Sequence, residues 1–288
     1  MRAVSFRDTT GIDALEVVEM PDPKAKAGEV LVAVKAATIN PVDLATLAGM
    51  FSGRMPGASP WIPGWDLAGS VIAVGDGVDS SLIGSAVLGF SQWFLTGTGT
   101  QASIVALPVQ NVAVSTGDLE PELLTTVGLN GLTAWQALDA ARVPKGGRII
   151  VVGASGAVGS FVTDLARERD IEVIPVGRST DRDSIAGASA DAIINAAPLD
   201  DRLLDGVKDG GRSVSVVGAL YDSVRGITGQ RVSVVPDQDM LKGVEARAQS
   251  GVLRTRVGQM YSVDRAAEAY RAFASSVTHD RVVVSFAD

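Results

Sequence analysis

The sequence predicts an α/β protein of two parts, a doubly wound parallel sheet and a mostly antiparallel β domain, on three observations. The stretch Arg148-Ile-Ile-Val-Val-Gly-Ala-Ser-Gly-Ala-Val-Gly-Ser160 runs from an apolar β-like segment through a glycine turn into a helix. A β-α-β rhythm follows, with strands at 171–176, 192–195 and 212–217, a short helix around 203–207 and a Lys208-Asp-Gly-Gly211 turn. The first third instead breaks into short runs split by Gly, Pro and Asp, several of them alternating apolar and polar residues, as an antiparallel sheet with one wet face does.

The glycine turn organises the chain. Ile149 to Val152 are β-branched and uninterrupted, as expected of a parallel strand buried on both faces. The helix that follows carries Val158, Phe161, Val162, Leu165 and Ala166 on one face. A helix starting just after a tight turn offers backbone N–H groups and a positive dipole end to an anion. Spacing of Gly156 and Gly159 is that of a dinucleotide fingerprint, with Ala154 at the usual first glycine. The backbone of Ser155, Gly156, Ala157 and Val158 is the expected pyrophosphate cradle, and Gly159 is expected to bring helix and strand close.

The end of the next strand reads the cofactor. An NAD site places a carboxylate there for the ribose 2′-hydroxyl. This chain has Val176-Gly-Arg-Ser-Thr180, so Gly177 removes the carboxylate, Arg178 can pair with a 2′-phosphate and Ser179 can donate to it. NADP(H) is the expected cofactor, with Asp181 as a competing acceptor that comes four residues late. The strand ends at Asn195-Ala196 and Val217-Gly218 are expected on the nicotinamide side, because ligands sit outside the carboxyl ends of parallel strands. Pro175 is an anomaly within its strand, since it cannot donate to a ladder.

In order, the first third predicts strands at 3–6, 15–20, 29–37, 71–74, 86–88 and 103–106. A helical approach at 122–127 and 132–141 leads to the glycine-turn strand. Beyond it lie a strand-like 231–235, a helix over 239–249 closed by Gly251, a helix bearing Val263, Ala267, Tyr270 and Phe273 with Ser262 as its cap, and a final strand at 281–286.

Composition narrows the function. A chain of 288 residues is long enough for two domains with cores of their own. A net charge of −8 argues against nucleic acid as a partner. No apolar stretch reaches the length of a membrane span and no targeting segment is visible, which predicts a cytoplasmic protein without membrane contact. The absence of cysteine excludes a thiol nucleophile and any thiolate metal site. The single histidine, His279, reads as a solvated turn residue.

Three further motifs, Ala37-Thr-Ile-Asn-Pro-Val-Asp-Leu44, Ile62-Pro-Gly-Trp-Asp-Leu-Ala-Gly-Ser-Val71 and Gly128-Leu-Asn-Gly-Leu-Thr-Ala-Trp135, occur in order before the glycine turn. Together the four resemble the medium-chain dehydrogenases/reductases, specifically their zinc-independent quinone oxidoreductase branch. The resemblance implies a GroES-like catalytic domain at 1–118 and 262–288, discontinuous in sequence, and an NADP-binding Rossmann domain at 119–261. It implies a homodimer paired through the strand at 231–235. Where the zinc-dependent members carry zinc ligands this chain has Asn40, Trp65 and Leu129, so no metal is expected. Asn40 and Thr133 are implied beside the nicotinamide, and both are neutral hydrogen-bond donors. Their alternatives are a turn residue and a plain helix residue. A tyrosine common after the Asn-Pro-Val-Asp motif is replaced by Leu44-Ala-Thr-Leu47, leaving water as the proton source.

Asp43 and Asp66 are expected to cap backbone N–H groups or pair with an arginine, and to act as acids only if burial raises their pKa. Phe51, Trp61 and Trp65, with Trp93 and Phe94, suit one wall of a flat apolar pocket and would serve equally as ordinary core. The expected activity is hydride delivery from NADPH to a quinone or activated α,β-unsaturated carbonyl. An enoyl-thioester reductase is one alternative, and an NADPH-binding sensor or structural protein of little turnover is another.

Overall fold

The computed structural model describes the chain apart from residues 58, 98, 182, 199, 200, 219, 276–280 and 288, and apart from the side chain of Thr96. His279 and Ala219 fall outside the described residues. In chain order the strands are β1 (Arg2–Ser5), β2 (Glu16–Glu19), β3 (Glu29–Ile39), β4 (Asp66–Val74), β5 (Ala86–Phe90), β6 (Ile104–Pro108), β7 (Val112–Val114), β8 (Arg148–Val152), β9 (Glu172–Val176), β10 (Ala190–Asn195), β11 (Val207–Ser215), β12 (Thr228–Arg231), β13 (Val257–Ser262) and β14 (Arg281–Ser285). The helices are α1 (Pro41–Leu47), α2 (Trp93–Thr96), α3 (Pro121–Leu124), α4 (Gly128–Ala141), α5 (Ala157–Glu168), α6 (Gln238–Gln249) and α7 (Ala266–Ser275).

Two compact units share the chain, one of residues 1–129, 235–251 and 255–288, the other of 130–234 and 252–254. The β unit therefore takes in 119–129 and most of 235–261, which the expected boundaries at 118 and 262 give to the nucleotide domain. Hydrogen bonds explain the gain of α6. Gln238 donates to the carbonyls of Val109 and Val112, while the buried Glu245 carboxylate accepts from Ser115 and Thr116 at the end of β7.

In the first unit β1 and β2 form an antiparallel ribbon, and a seven-stranded sheet runs β13-β14-β3-β4-β5-β7 with β6 also on β3. All its pairs are antiparallel except β13 with β14. The long β3 is its hub, pairing β6 and β4 early and β14 at its far end. Its alternate residues Val30, Val32 and Val34 enter a core with Leu67, Val71, Val87, Val105 and Leu107, as a period of two requires. Ser262 sits at the N-cap ahead of α7, reached through a 3₁₀ turn, but its side chain makes no capping bond.

The second unit is a parallel sheet of five strands, β12-β11-β10-β8-β9. In chain order this is 2-1-3-4-5, a doubly wound order whose ligand site is the switch point between its first and third strands, here β8 and β10. Among the described residues of its crossovers, α5 alone is a regular helix. The other strands are joined by 3₁₀ turns, including Asp201–Gly206 where a helix over 203–207 is expected.

Pro175 is explained by position. Glu172 donates to Gly147 and Val176 accepts from Gly153 on the β8 side, so the alternate residues Val173 and Pro175 turn their backbone outward from an edge strand. At the opposite edge the strand is β12 and not 231–235. Val232 still donates to Ser215, after which the chain leaves the sheet for Pro236 and α6.

Candidate functional site

The sequence-predicted nucleotide residues gather along one rim of the parallel sheet. The carboxyl ends of β9, β8, β10 and β11 are consecutive there and carry, in turn, 177–179, 153–158, 195–196 and 217–218. Gly153 adopts φ 75°, and a Cβ on it would lie 2.8 Å from that of Ala197. Gly159 is tighter, since its Cβ would overlap the Gly153 carbonyl oxygen. Any side chain at 159 therefore pushes α5 off β8. Gly156 is the N-cap of α5, with extended backbone and no side chain of its own, and the positive end of the dipole faces the turn. Ser155 is exposed, and Ala157 and Val158 are half-buried.

At the switch point Ala196 donates to the Val152 carbonyl at 3.1 Å. The Asn195 amide donates to the Val217 carbonyl at 3.0 Å, while its Oδ1 is buried without a hydrogen-bond partner among the described residues. Gly218 follows at φ 75°. At the end of β9 the Gly177 N–H donates to the Thr180 hydroxyl at 2.9 Å, and a Cβ on Gly177 would meet only that hydroxyl, at 4.0 Å. Arg178 and Ser179 are exposed, and no hydrogen bond or ion pair engages Arg178 among the described residues. Asp181 is tied to the next turn by the Asp183 N–H. The close turn, the helix N-terminus and the Asn195 oxygen left without a partner among the described residues together fit a dinucleotide. Thr133 is buried on α4 in this unit.

In the first unit Asn40 is the N-cap of α1 and is 1% exposed. Two buried carboxylates hold it. Its backbone N–H donates to Asp43 at 2.9 Å, and its side-chain amide donates to Asp66 at 2.8 Å. Asp43 also accepts from the Gly64 N–H at 3.1 Å, and Asp66 accepts from the Leu129 N–H at the start of α4. Gly128 admits that approach, because a Cβ there would overlap the Asp66 carboxylate.

Burial pushes both carboxyls up to about 7, against the backbone donors that favour the charged form. For Asp66 the Asn40 amide and the Arg281 charge also pull down, and the neighbouring Asp43 charge pushes up. Arg281, buried at the start of β14, is a member of this cluster that sequence reasoning missed. The signal was present, since an arginine opening the apolar run Val282-Val-Val284 has no reason to be buried without an acid near it. Both aspartates accept backbone N–H groups, the structural role expected of them.

The aromatic residues predicted for a pocket form a continuous chain of rings in the same unit. Phe51 and Phe94 lie 4.9 Å apart between centroids, Phe94 and Trp65 5.3 Å in an edge-on arrangement, and Trp65 and Phe90 6.1 Å. Trp93 joins Phe94 at 4.5 Å and reaches Trp61 through Phe6. Trp65 is buried, whereas Phe51, Trp61 and Phe94 are half-buried. Phe51, Trp61 and Trp65 thus belong to one cluster, with Phe94 linking the first and the last.

Comparison with known proteins agrees with this architecture. Residues 26–116 match the alcohol dehydrogenase GroES-like domain family. A zinc-type alcohol dehydrogenase-like protein of Schizosaccharomyces pombe is 29% identical over 91% of this chain and 89% of its own length. An NADPH-dependent alkenal/one oxidoreductase of Arabidopsis thaliana chloroplasts is 26% identical over 99% of this chain and 79% of its own. The structure of a quinone oxidoreductase from Coxiella burnetii superposes with a TM-score of 0.87 at 20% identity, covering 100% of this chain and 99% of the other. On motifs, fold and relatives alike, the chain is similar to oxidoreductases that share the alcohol dehydrogenase GroES-like domain matched by its residues 26–116.

Proposed function

We propose that the chain is a zinc-free, NADPH-dependent reductase acting on a quinone or an activated α,β-unsaturated carbonyl. The observation that carries this reading is the rim of the parallel sheet, where a glycine turn that admits no side chain stands beside the orphaned Asn195 oxygen and the unengaged Arg178. The backbone of Ser155, Gly156, Ala157 and Val158 holds the pyrophosphate. Arg178 and Ser179 hold the 2′-phosphate, for which Gly177 leaves room. Asn195, Ala196, Val217 and Gly218 line the nicotinamide side. Once bound, the reduced nicotinamide supplies a hydride to an electron-poor acceptor.

Asn40 and Thr133 are then the neutral donors beside the acceptor. A donor fixed in advance stabilises an oxygen that gains charge without having to reorganise, and the double hold on Asn40 supports this role. Asn40, Trp65 and Leu129 stand at the positions that bind zinc in the metal-dependent members, and none carries a thiolate or imidazole. The ring chain of Phe51, Phe94 and Trp65, with Trp61 beyond, gives a flat acceptor an apolar wall. Water supplies the proton. The same reading takes the chain as a cytoplasmic homodimer, for which the sheet edge at β12 offers a pairing surface.

The test is to follow loss of the reduced nicotinamide absorbance with a simple quinone, an enal and an enoyl thioester side by side. Faster loss with the quinone or enal supports the proposal. Preference for the thioester would make the chain an enoyl-thioester reductase. No turnover despite saturable NADPH binding would make it a binding protein.

A further inference from the structure

Within the first unit α6 packs on β7 and leaves a cavity of about 410 Å³ between helix and sheet. One wall is aliphatic, formed by Val71, Leu82, Val87, Val109, Val112 and Val114 from β4, β5, β7 and the turns beside them. Val71, Val87 and Val112 are buried members of that unit's core. The other wall is the face of α6 that carries Gln238, Lys242, Glu245 and Ala246, the spacing of one helical stripe. The helix's apolar residues Leu241, Val244 and Ala248 are buried elsewhere and do not line it. An aliphatic wall thus faces a polar and short-sided one across open space.

Two clamps keep the helix from settling onto the valines. At its start the Gln238 amide donates to the carbonyls of Val109 and Val112, at 3.0 and 3.1 Å. Two turns later, about 10 Å along the axis, the Glu245 carboxylate accepts from Ser115, from the N–H and hydroxyl of Thr116 and from the Gln249 amide. The slot between them is preformed and has the size of a small-molecule site.

The polar groups choose the ligand. Four donors occupy the lone pairs of Glu245, so it has no acceptor capacity to spare. Lys242 stands between the clamps and is the one cation among the described residues of the lining. Its ammonium is exposed and meets only the Gln238 side-chain oxygen at 3.4 Å and Asp239 at 3.7 Å. An anionic head on Lys242 gains a charge-assisted bond, and a saturated chain behind it takes the valine wall out of water. None of these residues belongs to the aspartate cluster or the ring chain.

We infer that the slot under α6 is a ligand site of its own, which takes an unbranched aliphatic carboxylate with its chain along the valines and its head on Lys242.

The test titrates the protein with hexanoate, octanoate and decanoate by calorimetry, below their micelle concentrations. Saturable binding of one molecule per chain is expected, tightening about threefold per added methylene. Lys242→Gln should weaken decanoate by about tenfold or more. Ala246→Phe, a change at an exposed helix position, should fill the slot and abolish binding while the circular dichroism is unchanged. If that variant does not fold, Lys242→Gln and the comparison with decanol decide. Decanol binding as tightly as decanoate would overturn the proposal. Decanoate binding that neither substitution alters would overturn it by placing the ligand elsewhere, and so would the lack of saturation by any of the three acids.

Discussion

The side-chain amide of Asn40 donates to the Asp66 carboxylate at 2.8 Å, across 26 residues of sequence and entirely within the protein interior. Asp43 holds the backbone of the same asparagine. Asn40 is therefore fixed from both ends. Replacing it with alanine removes a donor from a buried carboxylate and, on our reading, the donor to the reacting oxygen. Asn40→Ala should lower kcat by roughly a hundredfold, the usual cost of losing one such donor, with little change in the NADPH dissociation constant. Steady-state kinetics beside a nucleotide-binding titration checks this. Unchanged kcat would remove Asn40 from the chemistry.

The same cluster predicts a pH dependence of stability. Burial holds Asp43 and Asp66 near 7 in the folded chain, while in the unfolded chain both titrate near 4. Between those values the folded state binds more protons, so stability falls as pH rises through the window and levels off above it. Each group contributes a slope of about 1.4 kcal/mol per pH unit where it is fully protonated folded and ionised unfolded. Asp66→Asn should remove about half of that combined fall. Urea unfolding of both proteins between pH 5 and 8 measures the difference. Parallel curves for the two would contradict the assignment.

Gly159, in the first turn of α5, and Gly177, just past β9, should respond oppositely to alanine. At Gly159 a Cβ overlaps the Gly153 carbonyl oxygen, so Gly159→Ala should separate α5 from β8, lower the melting temperature and abolish nucleotide binding. At Gly177 a Cβ meets nothing closer than 4.0 Å and the backbone needs no left-handed conformation, so Gly177→Ala should be tolerated. Gly177→Asp should then turn preference toward NADH by supplying the missing carboxylate.

These contrasts show which features were legible in the sequence. The nucleotide turn was readable because the left-handed φ of Gly153 and the backbone overlap at Gly159 disfavour other residues, leaving a pattern on the chain. The bond between Asn40 and Asp66 was not, because nothing local announces a pair so far apart. β13 was missed because Gly258, Gln259 and Met260 are exposed and give no buried alternation. The run Val232-Ser-Val-Val235 looked like a strand by propensity, yet the chain leaves the sheet there for α6, so connection overrode local preference. Pro175 argued against a strand that does exist, because only the sheet order reveals that its missing N–H faces outward.

Arg178 should set the choice between the two nicotinamide cofactors. A charge-assisted hydrogen bond contributes about 1.5–3 kcal/mol, so Arg178→Ala should weaken NADPH by roughly ten- to a hundredfold and leave NADH nearly unchanged. Paired titrations with both cofactors check it. Equal losses for the two would assign the guanidinium elsewhere.

The most direct measurement is turnover by chelator-treated protein with NADPH or NADH as donor and a simple quinone or enal as acceptor. The account predicts that hydride transfer persists without metal, and that kcat/KM favours NADPH by about tenfold or more. Activity that vanishes on chelation and returns with zinc, or NADPH that binds saturably and is oxidised by neither acceptor, would contradict it.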